Sequence, residues 1–327
     1  KFISGKGDLR AGESCVYFPP DILIAPKIAV ELGVDTYLKH AVYPVHAVKT
    51  KCRIGAIRLR GIPSFGFGIP IAKLPDDYFV SSTGPTDVTE VFGGVKYQPP
   101  VHQSMRGGNQ APCPEEFHKY TSIQHYYRNA RYLKQGTAVR ITEKLHGTNS
   151  RVGLIHVDAA GEFMWGSHRT RKAGEGSVYA IPLSPDMREM IQVISSDKRE
   201  HDVIVFGEIY GAGVQPMDYG TGMGRGYRVF DISVDGEYLD WCDVKLYCAM
   251  FDIETVPVLY TGAFLPELID QFIDGPTTMS DADDIRCKFK GREGIVITPL
   301  VEQPAGGRCG TRLILKAVSA DYYEAMK

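Results

Sequence analysis

A chain of 327 residues, 43% hydrophobic and 23% charged, is long enough for about two globular domains. It holds no run of about twenty apolar residues that could span a membrane, and its net charge of −2 by itself argues against a nucleic-acid partner. Seven cysteines, odd in number and without a C-x-x-C pair, argue against a disulfide framework or structural zinc and for a reducing, intracellular, cytoplasmic setting. The chain opens at Lys1 without methionine or an apolar signal core, so native residues are expected to precede it.

The first hundred residues are punctuated by glycine and proline and carry short β-type runs at Glu13–Phe18, Ala47–Ile54, Ala56–Leu59 and Gly66–Ile71. Val45–Lys49 and Ile57–Arg60 alternate apolar and polar residues, the period of half-buried strands. Between Thr36 and Pro75 there is no acidic residue, while Lys39, Lys49, Lys51, Arg53, Arg58, Arg60 and Lys73 are basic. Tyr37, Tyr43, Phe65 and Phe67 are interleaved with them. One face that neutralises phosphates and stacks on bases needs this mixture, whatever the total charge. A small oligonucleotide-binding (OB-like) β-barrel is the expected architecture.

Tyr97–Pro114 lacks periodic apolar residues and reads as a linker or exposed loop, so domains are expected at 1–115 and 116–327. The second domain reads as mixed α and β. Strands are expected at Ala138–Ile141, Arg151–Val157, Val203–Phe206, Tyr227–Ile232, Gly294–Thr298 and Arg312–Val318. Ser184-Pro185 followed by Met187, Met190, Ile191 and Ile194 predicts a capped amphipathic helix, and Asp240 is expected to cap another, through Phe251.

Chemistry-bearing residues gather in this second part. Lys144-Leu145-His146-Gly147 lies between two expected strands, and Arg169 sits in the cluster His168–Lys172. Glu208 ends a strand, Phe230-Asp231 lies in YRVFDI, Glu293 opens a strand and Lys316 lies near the C terminus. An amine attacking phosphorus must be neutral, which for an ordinary lysine at pH 7 is a handicap of roughly 4.6 kcal/mol, at about 1.36 per pKa unit. Lys316, Arg169 and a divalent ion oriented by Glu208 and Glu293 would supply a field that lowers it and offsets phosphoryl charge. Phe230 could stack on a purine.

The ordered segments EKLHGTN, FGEIYG, YRVFDI, EGIVI and LKAVS resemble the motifs of ATP-dependent RNA ligases, in the nucleotidyltransferase superfamily shared with DNA ligases and capping enzymes. His146 and Asn149 favour RNA ligase, because DNA ligases and capping enzymes usually carry aspartate and arginine there. A basic domain placed first looks most like the Deinococcus-type RNA ligases with an N-terminal OB-like module. The resemblance implies an α+β fold, with that small β-barrel followed by a nucleotidyltransferase domain of antiparallel sheets and flanking helices.

Carried over, the resemblance makes Lys144 the adenylated nucleophile, places His146 in the phosphoryl-transfer steps and sets Lys316 on the α-phosphate. Glu143, Asn149, Arg169, Glu208 and Phe230 would contact the nucleotide, and Glu208 and Glu293 would serve Mg2+ or Mn2+. ATP would donate AMP, and the partner would be RNA, or an RNA-containing duplex, with 3′-OH and 5′-phosphate ends. The chain departs from its relatives at Thr298 and Ile314, where they often carry basic residues; Lys290 or Arg312 are candidate substitutes. The alternatives are a DNA nick ligase on the same scaffold and a catalytically weak nucleic-acid-binding relative.

Overall fold

The computed structural model describes residues 2–5, 7–45, 48–59, 61–75, 77–78, 86–98, 107–157, 160–174, 176–196, 200–281, 283–305 and 312–326. His46, Ala47, Arg60, Cys309 and residues 99–106 of the expected linker lie outside them. The chain divides into two units: Lys1–Pro100 with Tyr323–Lys327, and Val101–Tyr322.

The first unit holds β1 (Cys15–Phe18), β2 (Ile22–Leu23), α1 (Pro26–Glu31), β3 (Lys39–Val42), β4 (Lys49–Arg53), β5 (Ala56–Leu59), β6 (Ile62–Phe65), β7 (Phe67–Pro70) and β8 (Val95–Lys96). The runs expected at Glu13–Phe18, Ala56–Leu59 and Gly66–Ile71 form strands within a few residues of their predicted ends, and that expected from Ala47 to Ile54 forms over Lys49–Arg53; Val45 and Val48, expected in a half-buried strand, lie exposed in a turn and a bend. Their pairing is another matter. The described residues make three antiparallel ladders, β3-β4-β2-β8, β1-β7 and β5-β6, and no closed barrel. Strands of two residues and a proline inside β6, which lacks the donor a ladder needs, limit how far pairing propagates. Val16, Phe18, Ile24, Leu38, Ile54 and Phe92 form the main core.

Not all of the basic segment is available to a partner. Arg53 pairs with Asp21 at 2.6 Å and lies over the Tyr97 ring, Lys73 pairs with Asp8, and Arg58 with Glu324 at 2.7 Å. Along β3 and β4, His40 and Val42 stand opposite Lys51 and Lys49, and all four are exposed. Tyr37, just before β3, is exposed too.

The second unit opens with β9 (Asn109–Gln110), β10 (Gln124–His125), α2 (Tyr126–Asn129), β11 (Ala138–Glu143), β12 (Thr148–Val157), β13 (Ala160–Ser167), β14 (Arg171–Ala173) and α3 (Pro185–Ser195). There follow β15 (Val203–Gly211), β16 (Arg225–Val234), β17 (Glu237–Tyr238), α4 (Trp241–Met250), β18 (Val258–Ala263), α5 (Glu267–Phe272), β19 (Gly294–Pro299) and β20 (Leu315–Val318); α6 (Ala320–Met326) starts in this unit, and its residues from Tyr323 on belong to the first. Within the expected linker or exposed loop, the exposed Asn109 and Gln110 pair with β14, because ladder hydrogen bonding does not require apolar side chains at an edge.

Seven strands form the antiparallel sheet β17-β16-β15-β12-β13-β14-β9, and five form β10-β20-β19-β11-β18, in which only the β10–β20 pair is parallel. Two-residue alternation gives each sheet one face for its partner sheet and one for helices. Ile155, Ile204 and Phe206 from the larger sheet meet Ile314 and Val296 between the sheets. Val152, Val203 and Val205 face the other way, onto α3 and α4. Val139, Ile141, Ile295, Ile297, Leu315 and Ala317 back the smaller sheet against α2 and α5. Ser184 caps α3 by accepting from the Met187 amide at 3.1 Å, and the expected Met187, Met190, Ile191, Ile194 stripe is buried. Asp240 occupies the N-cap position of α4, but its carboxylate accepts from the Glu302 amide instead of capping through its side chain.

Candidate active site

The segment Lys144–Gly147 leaves β11 in the smaller sheet and enters β12 in the larger one, so it crosses from sheet to sheet. Both ends are tied to the neighbouring backbone. The Lys144 amide donates to the Gly294 carbonyl at 2.9 Å, and the His146 amide donates to the Tyr219 hydroxyl at 2.6 Å. A Cβ on Gly147 would sit 2.2 Å from the Ile209 carbonyl oxygen, so only glycine allows β15 to pass this close.

Glu293, one residue before β19, meets the crossing. Lys144 Nζ lies 2.7 Å from its Oε1, and His146 Nδ1 lies 3.5 Å from its Oε2. Glu208 comes from β15, where it stands opposite Asn149 in the ladder and accepts from the Gly147 amide. Four of the expected residues therefore converge. Lys316 stands opposite Val296, whose side chain lies on the inter-sheet side.

Phe230 arrives by a backbone irregularity. Phe206 pairs with Asp231 while Gly207 pairs with Val229, so Phe230 is the extra residue of a β-bulge. Val229 and Ile232 consequently share the helix side, and both Phe230 and Asp231 turn toward the smaller sheet. Arg169 is exposed in the turn between β13 and β14. Glu143 does not join the cluster. Alternation along β11 points it to the opposite face, where its buried carboxylate accepts from the Thr277 hydroxyl and from the Thr278 amide and hydroxyl.

Three tyrosines at the site carried no signal in the sequence: Tyr219 on the His146 amide, Tyr322 at 2.7 Å from His146 Nδ1, and Tyr179 at 3.2 Å from the Thr148 hydroxyl. The candidate substitutes for the missing basic residues fare differently. Arg312 is buried and bound to Asp231 and Glu302, so it is not available to a triphosphate, whereas Lys290 is exposed. Thr298 and Ile314 are both buried.

The charges set unusual protonation states. Burial pushes the Glu293 carboxyl up, but the Lys144 ammonium beside it outweighs burial and holds it down at about 2. Burial dominates at Glu208; Lys144 offsets it only in part, Glu293 adds repulsion, and the carboxyl is pushed up to about 8. Burial alone would lower Lys144, yet the two carboxylates outweigh it and keep the amine above its ordinary value. In this arrangement the amine is held as a cation, opposite to what nucleophilic attack requires.

Glu208 forms no ion pair within 4 Å among the described residues, and Asn149 Oδ1 is buried there without a hydrogen-bond partner. Uncompensated oxygen ligands fit a hard divalent cation. The described residues contain no group of three or more His, Cys, Asp or Glu poised to hold a metal. Two carboxylates and an amide oxygen suit an ion that keeps several of its waters.

One consequence is measurable in the protein alone. Because the folded-state pKa of Glu208 lies above its ordinary 4.5, wild-type stability should fall as pH rises from about 4.5 to about 8. Glu208→Gln does not titrate, so it should melt at higher temperature than wild type, by a few kcal/mol of stability at pH 8 and by nearly nothing below pH 4.5. Thermal melts across that range test this; a gap that does not widen with pH contradicts it.

A family model described as RNA ligase matches residues 137–318, more than half of the chain. The chain belongs to the RNA ligase family. That segment contains the sheet crossing, both carboxylates and Lys316. The fold also matches solved structures of Naegleria gruberi RNA ligase. The complex with pyrophosphate superposes with a TM-score of 0.75 at 21% identity, over 99% of this chain and 89% of that one. A lysine-to-alanine mutant with ATP and Mn gives 0.75 at 21%, over 99% and 90%, as does a glutamate-to-alanine mutant with AMP and Mn. No curated protein sequence matches.

Proposed function

We propose that this RNA ligase family member is an ATP-dependent enzyme that seals 3′-OH and 5′-phosphate RNA ends at nicks, through a lysine–AMP intermediate. The observation that carries the reading is the convergence of Lys144, His146, Glu208 and Glu293 where the chain crosses between the two sheets. Lys144 Nζ attacks the α-phosphate of ATP, a P–N bond forms and pyrophosphate leaves. The 5′-phosphate of the RNA then takes AMP from the lysine. A 3′-hydroxyl attacks that activated phosphate, forming the phosphodiester and releasing AMP. Positioning and charge stabilisation carry most of this chemistry.

The motif resemblance supplies the roles. Phe230, in its bulge between the sheets, stacks on adenine, and Asn149 and Arg169 contact sugar or phosphate. Lys316 offsets charge on the α-phosphate. A divalent ion, Mg2+ or Mn2+, bound by Glu208 and Glu293 would neutralise the carboxylates that keep Lys144 protonated and would add to charge compensation at the phosphates. Naegleria gruberi RNA ligase structures with ATP or AMP and Mn support that choice of nucleotide and ion.

The first unit, in this reading, is the OB-like RNA-binding module of a Deinococcus-type ligase. The exposed face of Lys49, Lys51 and His40, with Tyr37 nearby, supports it. Lys49→Glu with Lys51→Glu should weaken RNA binding at all sequences alike and flatten the salt dependence of binding by about one to two units of log–log slope. Filter binding across 50–200 mM salt checks this, and an unchanged slope moves the RNA site elsewhere. An intracellular location is supported by the free thiols Cys15, Cys52, Cys113, Cys242 and Cys248.

The test of the function is incubation with magnesium and ATP labelled on the α-phosphate, after pyrophosphate treatment to strip any bound AMP. Label surviving denaturing electrophoresis, from ATP and not GTP, supports the reading; no label overturns it. Sealing of a nick whose 3′-OH end carries a single ribonucleotide, and not of its all-deoxy counterpart, separates an RNA ligase from a DNA ligase.

A further inference from the structure

We propose that Tyr322 is a positioning residue for His146: its hydroxyl donates to Nδ1 and so holds the ring proton on Nε2, the nitrogen left to meet the transferring phosphoryl group. The second half of that statement rests on the ligase reading above; the first half concerns the protein alone. Tyr322 lies four residues after the segment matched by the family model and in none of the motifs that define the site.

The geometry ties Tyr322 to the site at several points. Ser319, between β20 and α6, donates its amide to the Glu293 carbonyl at 2.9 Å. Its hydroxyl accepts from the Tyr322 amide at 3.2 Å and donates to Asp274 at 2.6 Å. The first turn of α6 is thereby registered on the residue that pairs with Lys144. The buried Tyr322 ring stands edge-on to the His146 imidazole, with centroids 5.2 Å apart at 66°, and meets Phe289 on another side.

Two oxygens compete for His146 Nδ1. The Tyr322 hydroxyl is at 2.7 Å and Glu293 Oε2 at 3.5 Å. A carboxylate can only accept, whereas a hydroxyl can donate. A proton on Nδ1 would be drawn to the anion as the stronger acceptor. The hydroxyl instead sits at ordinary hydrogen-bond length while the carboxylate stands off, as expected when the Nδ1 lone pair receives the tyrosine proton. Two consequences follow. Glu293 keeps its oxygens for Lys144 or a divalent ion. Nε2 carries the hydrogen, and it is buried without a partner among the described residues, a donor that a phosphate oxygen would satisfy.

The test is a long-range 1H–15N spectrum of protein labelled in its histidine rings, recorded without nucleotide, with the His146 signals assigned by their loss in His146→Gln. Wild type should show the Nε2–H tautomer. Tyr322→Phe keeps the ring and removes only the hydroxyl, and should move His146 toward the Nδ1–H form that faces Glu293. In single-turnover assays the same variant should slow phosphoryl transfer at saturating ATP about tenfold, as loss of one buried hydrogen bond implies, while the KM for ATP changes little. A wild-type Nδ1–H tautomer, or a Tyr322→Phe tautomer identical to wild type, overturns the proposal. Should the variant fold poorly, the wild-type tautomer decides alone. If wild type takes up no AMP, the ligase reading fails while the tautomer result still judges the role of Tyr322.

Discussion

Lys144→Ala is expected to retain no label from ATP after denaturation and, separately, to be less stable than wild type. The first loss is chemical: alanine offers no nucleophile in the pocket. The second is electrostatic. The Glu293 side chain is only 8% exposed and faces Lys144 Nζ at 2.7 Å, so truncation leaves a buried carboxylate without its main cation. Breaking a buried pair from one side costs about 3–5 kcal/mol. Lys144→Arg separates the two effects, because a guanidinium keeps the positive charge but is not deprotonated in proteins. The arginine protein should recover much of the stability and none of the labelling. Denaturant midpoints and the gel assay on both variants check this. Label on either one would mean that another side chain is the nucleophile.

Asp231→Ala should unfold at markedly lower denaturant, by about 3–5 kcal/mol. Asp231 is 1% exposed and holds two buried arginines, Arg140 and Arg312, each at 2.8 Å. Tyr120 donates to the same carboxylate. Arg140 comes from β11, Asp231 from β16, and Arg312 lies shortly before β20, so the cluster joins the two sheets. Burial alone would raise the Asp231 carboxyl, but Arg312 and Arg140 outweigh it and hold it below the ordinary 3.8. The stabilisation it confers is therefore complete above about pH 4 and lost as pH falls through the depressed value. Arg140 also donates to the Phe230 carbonyl at 3.0 Å, which fixes the bulge. The variant should accordingly raise the KM for ATP as well as lose stability. Stability within 1 kcal/mol of wild type would mean that the inter-sheet apolar contacts suffice without the ion cluster.

The reach of the sequence differs from residue to residue. Lys144, His146, Glu208 and Glu293 each lie in a short segment whose pattern of strand and turn is local, so their elements could be read in advance, and the structure brings the four together. Arg312 looked like a spare cation for phosphate because a charge in a strand carries no mark of its partner. Burial against Asp231, 81 residues away, decides that it is structural. Glu143 shows the same limit: one step of β-alternation separates it from the inter-sheet face of β11. Tyr219 and Tyr322 read as ordinary aromatic residues, since no periodicity shows which hydroxyl ends on a histidine.

The barrel expectation for the first unit exceeded what alternation can support. Alternation states that a strand has two faces. It does not state which strand lies beside it, and the β3-β4-β2-β8 order arises from contacts made across tens of residues. The bulge at Phe230 is likewise invisible to a period of two, because it is the point where that period breaks.

By itself, the sequence determined the longer strands and two of the helices, the basic stretch without acids, the RNA ligase family resemblance, and the short segments that hold Lys144, His146, Glu208 and Glu293. Each of these depends on neighbours within a few residues. Only the tertiary structure decided the sheet pairing, the ion cluster that holds the two sheets, the tyrosine behind His146 and the charge on Lys144. Each of those depends on which groups are buried together, and burial in a low dielectric makes distant charges and hydroxyls act on one another.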